Sequence, residues 1–280
     1  MNIQMALASA RALLHQNNIE QPRLDAEVLL SQVLNCNRAY LLTNNVKPLT
    51  EMQLRQFNEL VQKRTQGQPV AYLVGVKEFM GLNFTVTPDV LIPRPDTELM
   101  VETAVSIINK HAKENPKLLD VGTGSGAVVV STTHFVPRLK ATAVDISEQA
   151  LKIAQKNAKE HNVDNKIEFI KGNLLESLLH QKADIITANL PYVPSQDILT
   201  LSEEVKNEPK LALDGGPDGL DLYRQLIPQA EKILNPAGHL LIEIGPGQGQ
   251  PALNLFKHWP QANLYHDLAN RERLVVAKIN

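Results

Sequence analysis

Cysteine is almost missing from this chain. Cys36 stands alone among 280 residues, which excludes an intrachain disulfide and a cysteine-based zinc cluster, and a reducing cytosol is the expected compartment. No run of 18 apolar residues occurs, so no membrane-spanning helix is expected. An excess of either charge is missing too. The 28 Lys and Arg nearly balance 30 Asp and Glu, and the net charge of −2 argues against a broad cationic face for nucleic acid. The eight histidines are scattered without paired spacing, so no metal site is expected. No Gly-x-Ser-x-Gly elbow is present, which leaves a serine hydrolase unsupported. Acidic residues are absent from the first 19 positions, a faint likeness to an organelle address. Yet Ile3, Leu7, Ala10 and Leu14 recur at helical spacing and run straight into further helices, so this stretch reads as folded domain.

What is present falls into three regions. Residues 1–75 read as a small all-α bundle. Asp25-Ala26-Glu27 opens one helix with Ala26, Leu29, Leu30 and Val33 on a face, and Thr50 with Gln53 forms a capping box ahead of another. From Val76 to Ile92, apolar residues alternate with Gly81, Asn83 and Pro88-Asp89, which predicts a β-hairpin joint over 76–92. Pro93-Arg94-Pro95-Asp96-Thr97-Glu98 then stops the strand and starts a helix. Over 93–280 strand and helix alternate, with strands at Lys117–Val121, Ala141–Asp145, Ile167–Lys171, Asp184–Ala188 and His239–Ile244 and a terminal hairpin near 264–279. That alternation predicts an α/β domain with a doubly wound, mostly parallel sheet.

The chemistry-bearing residues fall at successive strand ends, where open α/β sheets bind ligands. Asp120-Val-Gly122-Thr123-Gly124-Ser125-Gly126 turns from the first strand into a helix, so its backbone can approach a ligand closely. Asp145 ends the second strand and can take both hydroxyls of a ribose. Asn173-Leu174 follow the third, suited to an adenine amine and ring. Three meanings of the glycine loop stay open: a bare tight turn, the dinucleotide pattern Gly-x-Gly-x-x-Ala through Ala127, and a site for S-adenosylmethionine. Asp120, able to hold the charged amino-acid end of that cofactor, favours the last.

So does the fourth strand, which ends in Asn189-Leu190-Pro191-Tyr192. The Asn189 side-chain oxygen and the Leu190 carbonyl can each accept one N–H of an incoming NH2 group. Pro191 fixes the turn and Tyr192 can stack on a planar substrate. Such a site orients the reluctant lone pair of an amide or exocyclic amine toward an activated methyl.

These residues resemble the release factor glutamine methyltransferases. The likeness rests on Pro69-Val-Ala-Tyr-Leu-Val-Gly75, Glu78-Phe-Met-Gly-Leu82, Leu91-Ile-Pro-Arg-Pro-Asp-Thr-Glu98, the glycine loop, Ala212-Leu-Asp-Gly-Gly216 and Asp218-Gly-Leu-Asp-Leu-Tyr-Arg224. The resemblance implies a Rossmann-like class I methyltransferase domain behind the helical bundle. It implies that Gly122 to Gly126, Asp145 and Leu174 hold S-adenosylmethionine, that Asn189 to Tyr192 hold the substrate glutamine, and that the helical region helps grip a class I release factor. A cytoplasmic monomer acting on the Gly-Gly-Gln glutamine is the expected protein. The alternatives are a glutamine methyltransferase of a ribosomal large-subunit protein and a nucleic-acid adenine methyltransferase. One departure is Leu190, where the family more often has proline.

Overall fold

A computed structural model describes residues 1–110 and 113–280. Its chain forms two compact units, one of Met1–Val76 with Ser202–Asn207, the other of Lys77–Leu201 with Glu208–Asn280.

The first unit is helical, with α1 (Ile3–Gln16), α2 (Pro22–Leu34), α3 (Arg38–Thr43), α4 (Glu51–Thr65) and α5 (Val70–Val74). Its core joins Ile3, Ala6, Ala10 and Leu14 of α1 to Ala26, Leu29 and Leu30 of α2 and Phe57 and Val61 of α4. The sequence placed the start of α2 at Asp25; the helix begins three residues earlier because Pro22 occupies its first turn, where no N–H is needed. The Thr50–Gln53 capping box forms in both directions. Arg64, on α4, is buried and reaches Asp25 at 2.7 Å, the Gln68 carbonyl at 3.1 Å and Glu204 at 2.6 Å.

A hairpin of β1 (Val76–Phe79) and β2 (Leu82–Thr85) comes next, turning at Met80 and Gly81, both at positive φ. A single 3₁₀ turn at Pro95–Thr97 leads into α6 (Glu98–Lys110). There follow β3 (Lys117–Val121), α7 (Ala127–Phe135), β4 (Lys140–Asp145), α8 (Glu148–Glu160), β5 (Ile167–Lys171) and β6 (Ala183–Ala188). After α9 (Glu203–Lys206), which lies in the first unit, come α10 (Asp221–Ile233), β7 (Leu234–Glu243), α11 (Gly249–Leu255), β8 (Gln261–His266) and β9 (Glu272–Lys278). β7 starts earlier than the sequence suggested: Leu234 already pairs with Ala183, and a register shift absorbs the Asn235–Gly238 turn before His239.

The seven strands take the order β5-β4-β3-β6-β7-β9-β8. β3 to β7 run parallel and β9 antiparallel. Successive residues of each strand face opposite layers. Leu118, Ala143 and Ile185 pack under α6 and α7, whereas Leu119, Val144 and Ile186 pack under α10. Covered on both faces, these strands have no polar side to show, which is why they read as near-continuous apolar runs. The order reverses between β3 and β6, so the loops leaving β3, β4, β5 and β6 share one crevice.

Candidate active site

That crevice holds a cavity of about 380 Å³, within the range of small-molecule sites of roughly 300–1,000 Å³. Asp120, Gly122, Thr123, Gly124, Ser125, Asp145, Asn173, Leu174, Asn189, Leu190 and Pro191 all line it. Most of the residues singled out from the sequence thus converge on one space. Gly126 and Tyr192 are not among the lining residues.

Asp120 is buried at the foot of the glycine loop. Its Oδ2 accepts the Thr123 hydroxyl at 2.6 Å and its Oδ1 the Thr187 hydroxyl at 2.7 Å. Burial raises its pKa to about 6 against the pull of those two hydroxyls. Gly122, Gly124 and Gly126 all have positive φ. At Gly122 space is decisive as well, since a Cβ there would meet Leu190 Cδ2 at 2.7 Å. Gly126 sits against Ala154 of α8, which lets that helix approach the loop and explains a packing role away from the cavity.

Asp145 links loop to strand. Its Oδ2 accepts the Gly124 N–H and its Oδ1 the Ser147 N–H, both at 2.8 Å, and burial raises its pKa. Each oxygen keeps a lone pair for a ligand hydroxyl. Asn173 is exposed with its amide tied to Glu176 at 2.8 Å, while Leu174 is buried and takes a left-handed backbone at φ 49°.

Asn189 donates its Nδ2 to the Thr97 hydroxyl at 3.1 Å, and its Oδ1 makes no hydrogen bond among the described residues. The Leu190 N–H reaches the Tyr223 hydroxyl at 3.2 Å. That hydroxyl has one proton and lies nearer the Glu243 carbonyl than the Leu190 carbonyl at 3.4 Å, so the Leu190 oxygen stays available. Tyr192, read from the sequence as a stacking ring, packs against Gly245, and its phenol reaches the Glu243 Oε1 at 3.4 Å.

Several residues that shape the site gave no local signal. Glu208 binds Arg94 and accepts the Ile92 N–H at 3.0 Å. Asn157 of α8, fully buried, bonds both backbone groups of Thr85 and the Ser125 carbonyl. Gln248 closes the Gly245–Gly249 turn onto the Tyr192 and Asp218 carbonyls, each at 2.9 Å, so this glycine-rich turn is structural. The Ala212–Gly216 block earns its place in the same way: Val193 donates to the Leu213 carbonyl and accepts from Gly215, backing the chain just after the acceptor motif.

Residues 5–75 match the PrmC N-terminal domain model and residues 97–216 the Methyltransferase small domain model. A release factor glutamine methyltransferase of Moorella thermoacetica is 40% identical, over 99% of this chain and 98% of that protein. The chain belongs to the release factor glutamine methyltransferase family. A second member, from Geobacter sulfurreducens, is 40% identical over 91% of this chain and 88% of its own. The solved hMettl16 catalytic domain, in complex with an RNA hairpin from the MAT2A 3′UTR, superposes with a TM-score of 0.58 at 16% identity, over 71% of this chain and 76% of that one. That likeness is one of fold. As a member of this family the protein is an enzyme, a methyltransferase.

Proposed function

We propose that this enzyme transfers a methyl group from S-adenosylmethionine to the side-chain nitrogen of the glutamine in the Gly-Gly-Gln motif of class I release factors, and so serves translation termination. The single observation that carries the reading is the Asn189 carboxamide at the cavity wall, its NH2 engaged by Thr97 and its oxygen uncommitted, in a chain of this family.

The cavity suits the cofactor. S-adenosylmethionine bears a sulfonium, an ammonium and one carboxylate, a net single positive charge. Asp89, Asp120 and Asp145 face it against one cation, Arg94. That balance favours a cationic ligand and opposes the paired phosphates of a dinucleotide. Asp145 would take the ribose hydroxyls, the glycine loop would admit the amino-acid end beside Asp120, and Leu174 would cover the adenine. When bound, the cofactor supplies an electrophilic methyl.

The residues of the chain then present the nucleophile. Asn189 Oδ1 and the Leu190 carbonyl accept the two N–H groups of the substrate amide, which directs its lone pair and steadies the positive charge that grows on nitrogen. The helical unit, matched to the family's own N-terminal domain, is the natural grip for the release factor.

Incubation with methyl-labelled S-adenosylmethionine and two release factors, one intact and one with the Gly-Gly-Gln glutamine replaced, tests this. Label is expected in the intact protein alone; equal label in both would falsify the substrate assignment.

A further inference from the structure

Thr97 and Glu243 have been given no task in the transfer itself, yet Thr97 bonds Asn189 of the acceptor motif and Glu243 meets its Tyr192. Thr97 lines the cavity and is 4% exposed; Glu243 closes β7 and is 1% exposed. A carboxamide can turn over, exchanging its donor end for its acceptor end, and only its neighbours decide which faces a ligand. Asn189 has Thr97 Oγ1 as its neighbour at 3.1 Å. A hydroxyl, however, either donates or accepts toward that amide, so what fixes the hydroxyl fixes the amide.

Glu243 is suited to fix it. A carboxylate only accepts. Its Oε1 receives the Tyr192 phenol at 3.4 Å, and its Oε2, fully buried, has no hydrogen-bond partner. The Thr97 hydroxyl is near enough to this carboxylate to oppose the effect of burial on it, while no hydrogen bond closes between the two in the structure. We propose that Glu243 draws the Thr97 proton toward itself, so that Thr97 can only accept from Asn189 Nδ2, and thereby holds the Asn189 oxygen toward the substrate. Thr97 and Glu243 are positioning residues for methyl transfer. The assignment rests on the acceptor role of Asn189. A reversed carboxamide would point NH2 at NH2 and leave the substrate amide unheld.

The surroundings keep this arrangement in place. Asp96 is tied to Arg273 at 3.0 Å and to Arg271 at 3.4 Å, Arg94 to Glu208, and Glu98 Oε1 accepts the Met80 N–H at 2.8 Å. Arg94, Asp96 and Glu98 are therefore all clamped, with Thr97 between the last two. Charged and titratable groups that act on or are acted on by Glu243 are Arg273, Asp96, Tyr192 and Tyr223. Burial raises its pKa to about 7. Once protonated, the Glu243 carboxyl donates to Thr97, whose own proton is freed to seek the Asn189 oxygen. Turnover therefore climbs as pH rises through about 7.

The test compares Thr97→Val, Thr97→Ser and Glu243→Gln with the wild-type protein on an intact release factor, with kcat, KM for both substrates and melting temperature recorded. Thr97→Val is expected to lower kcat by about 10- to 100-fold while KM for the cofactor moves less than about twofold. Thr97→Ser, which keeps the hydroxyl, should restore kcat to within about threefold of wild type. Glu243→Gln should lose the acid limb of the kcat profile near pH 7; Asp120 and Asp145 remain in both proteins, so the difference isolates Glu243. An undiminished kcat in Thr97→Val, a serine variant that fails to restore it, or an unchanged acid limb would overturn the proposal. If Glu243→Gln does not fold, the two Thr97 variants decide. Wild-type protein that leaves the release-factor glutamine unlabelled, or an active Asn189→Ala, defeats the acceptor reading itself. A dead Asn189→Ala beside a fully active Thr97→Val defeats only the positioning.

Discussion

The tasks proposed for Asn189 and Asp145 are separable. If Asn189 holds the acceptor as proposed, Asn189→Ala should cut methyl transfer by roughly 10²–10³ and leave cofactor affinity within a few-fold. Intact turnover would remove Asn189 from its role. Asp145→Ala should instead raise the cofactor dissociation constant, each lost charge-assisted bond being worth roughly 1.5–3 kcal/mol. It also frees the Gly124 and Ser147 N–H groups, so Asp145→Asn is the gentler companion. Unchanged affinity in titration calorimetry would remove the ribose contact. Asp120 makes a prediction about pH. Its folded pKa of about 6 lies above the ordinary 3.8, so its contribution to stability is present below about pH 4 and lost as pH rises through about 6. That loss is roughly 3 kcal/mol. Asp120→Asn should therefore gain stability relative to wild type across this window; parallel melting curves from pH 4 to 7 would contradict it. At this scale the sequence revealed what lies within a few residues of a strand end, the glycine loop, Asp145 and Asn189. It was silent on the contact of Thr97 with Asn189, 92 positions away, because no local spacing encodes a contact closed by the sheet.

At the scale of elements, Asn157 decides how β2 and the glycine loop meet. Its amide accepts the Thr85 N–H at 2.7 Å and donates to the Thr85 and Ser125 carbonyls at 3.0 and 2.8 Å. Asn157→Leu strands three backbone groups, each worth roughly 1–3 kcal/mol when left unpaired. A loss of about 3 kcal/mol or more is expected in equilibrium urea unfolding, with weaker cofactor binding because Ser125 lines the cavity. A change under about 1 kcal/mol would mean that water substitutes for the side chain. The strands were legible because they are buried on both faces and read as apolar runs. Asn157 was not, since it shares the buried face of α8 with Ala150, Leu151, Ala154 and Ala158, and no local spacing shows which backbone groups a lone asparagine there will meet.

At the scale of the molecule, the chain crosses between its two units three times, and Ser202–Asn207 belongs to the helical one. Arg64 holds this segment through Glu204, 140 positions away, while also neutralising Asp25, whose pKa burial raises. Arg64→Ala leaves a carboxylate without its cation in a dry place. Removing one partner of such a pair typically costs about 3–5 kcal/mol, and a destabilisation of about 3 kcal/mol is expected in chemical unfolding of the full chain. A shift below about 0.5 kcal/mol would show that Asp25 is served by water instead. The sequence disclosed the helical front and the α/β remainder through their different periodicities. It did not disclose the excursion at 202–207, a six-residue stretch too short to carry a period of its own.

The strand order also sets a timetable for synthesis. β8 leaves the ribosome before β9, yet its one neighbour in the sheet is β9, which slots between it and β7. An edge thus waits unmatched until the next stretch of peptide arrives. Arg273 rides on that late strand and supplies the cation that Asp96 and Glu243 face. The cation that Asp96 and Glu243 face is therefore missing until β9 has been made and paired.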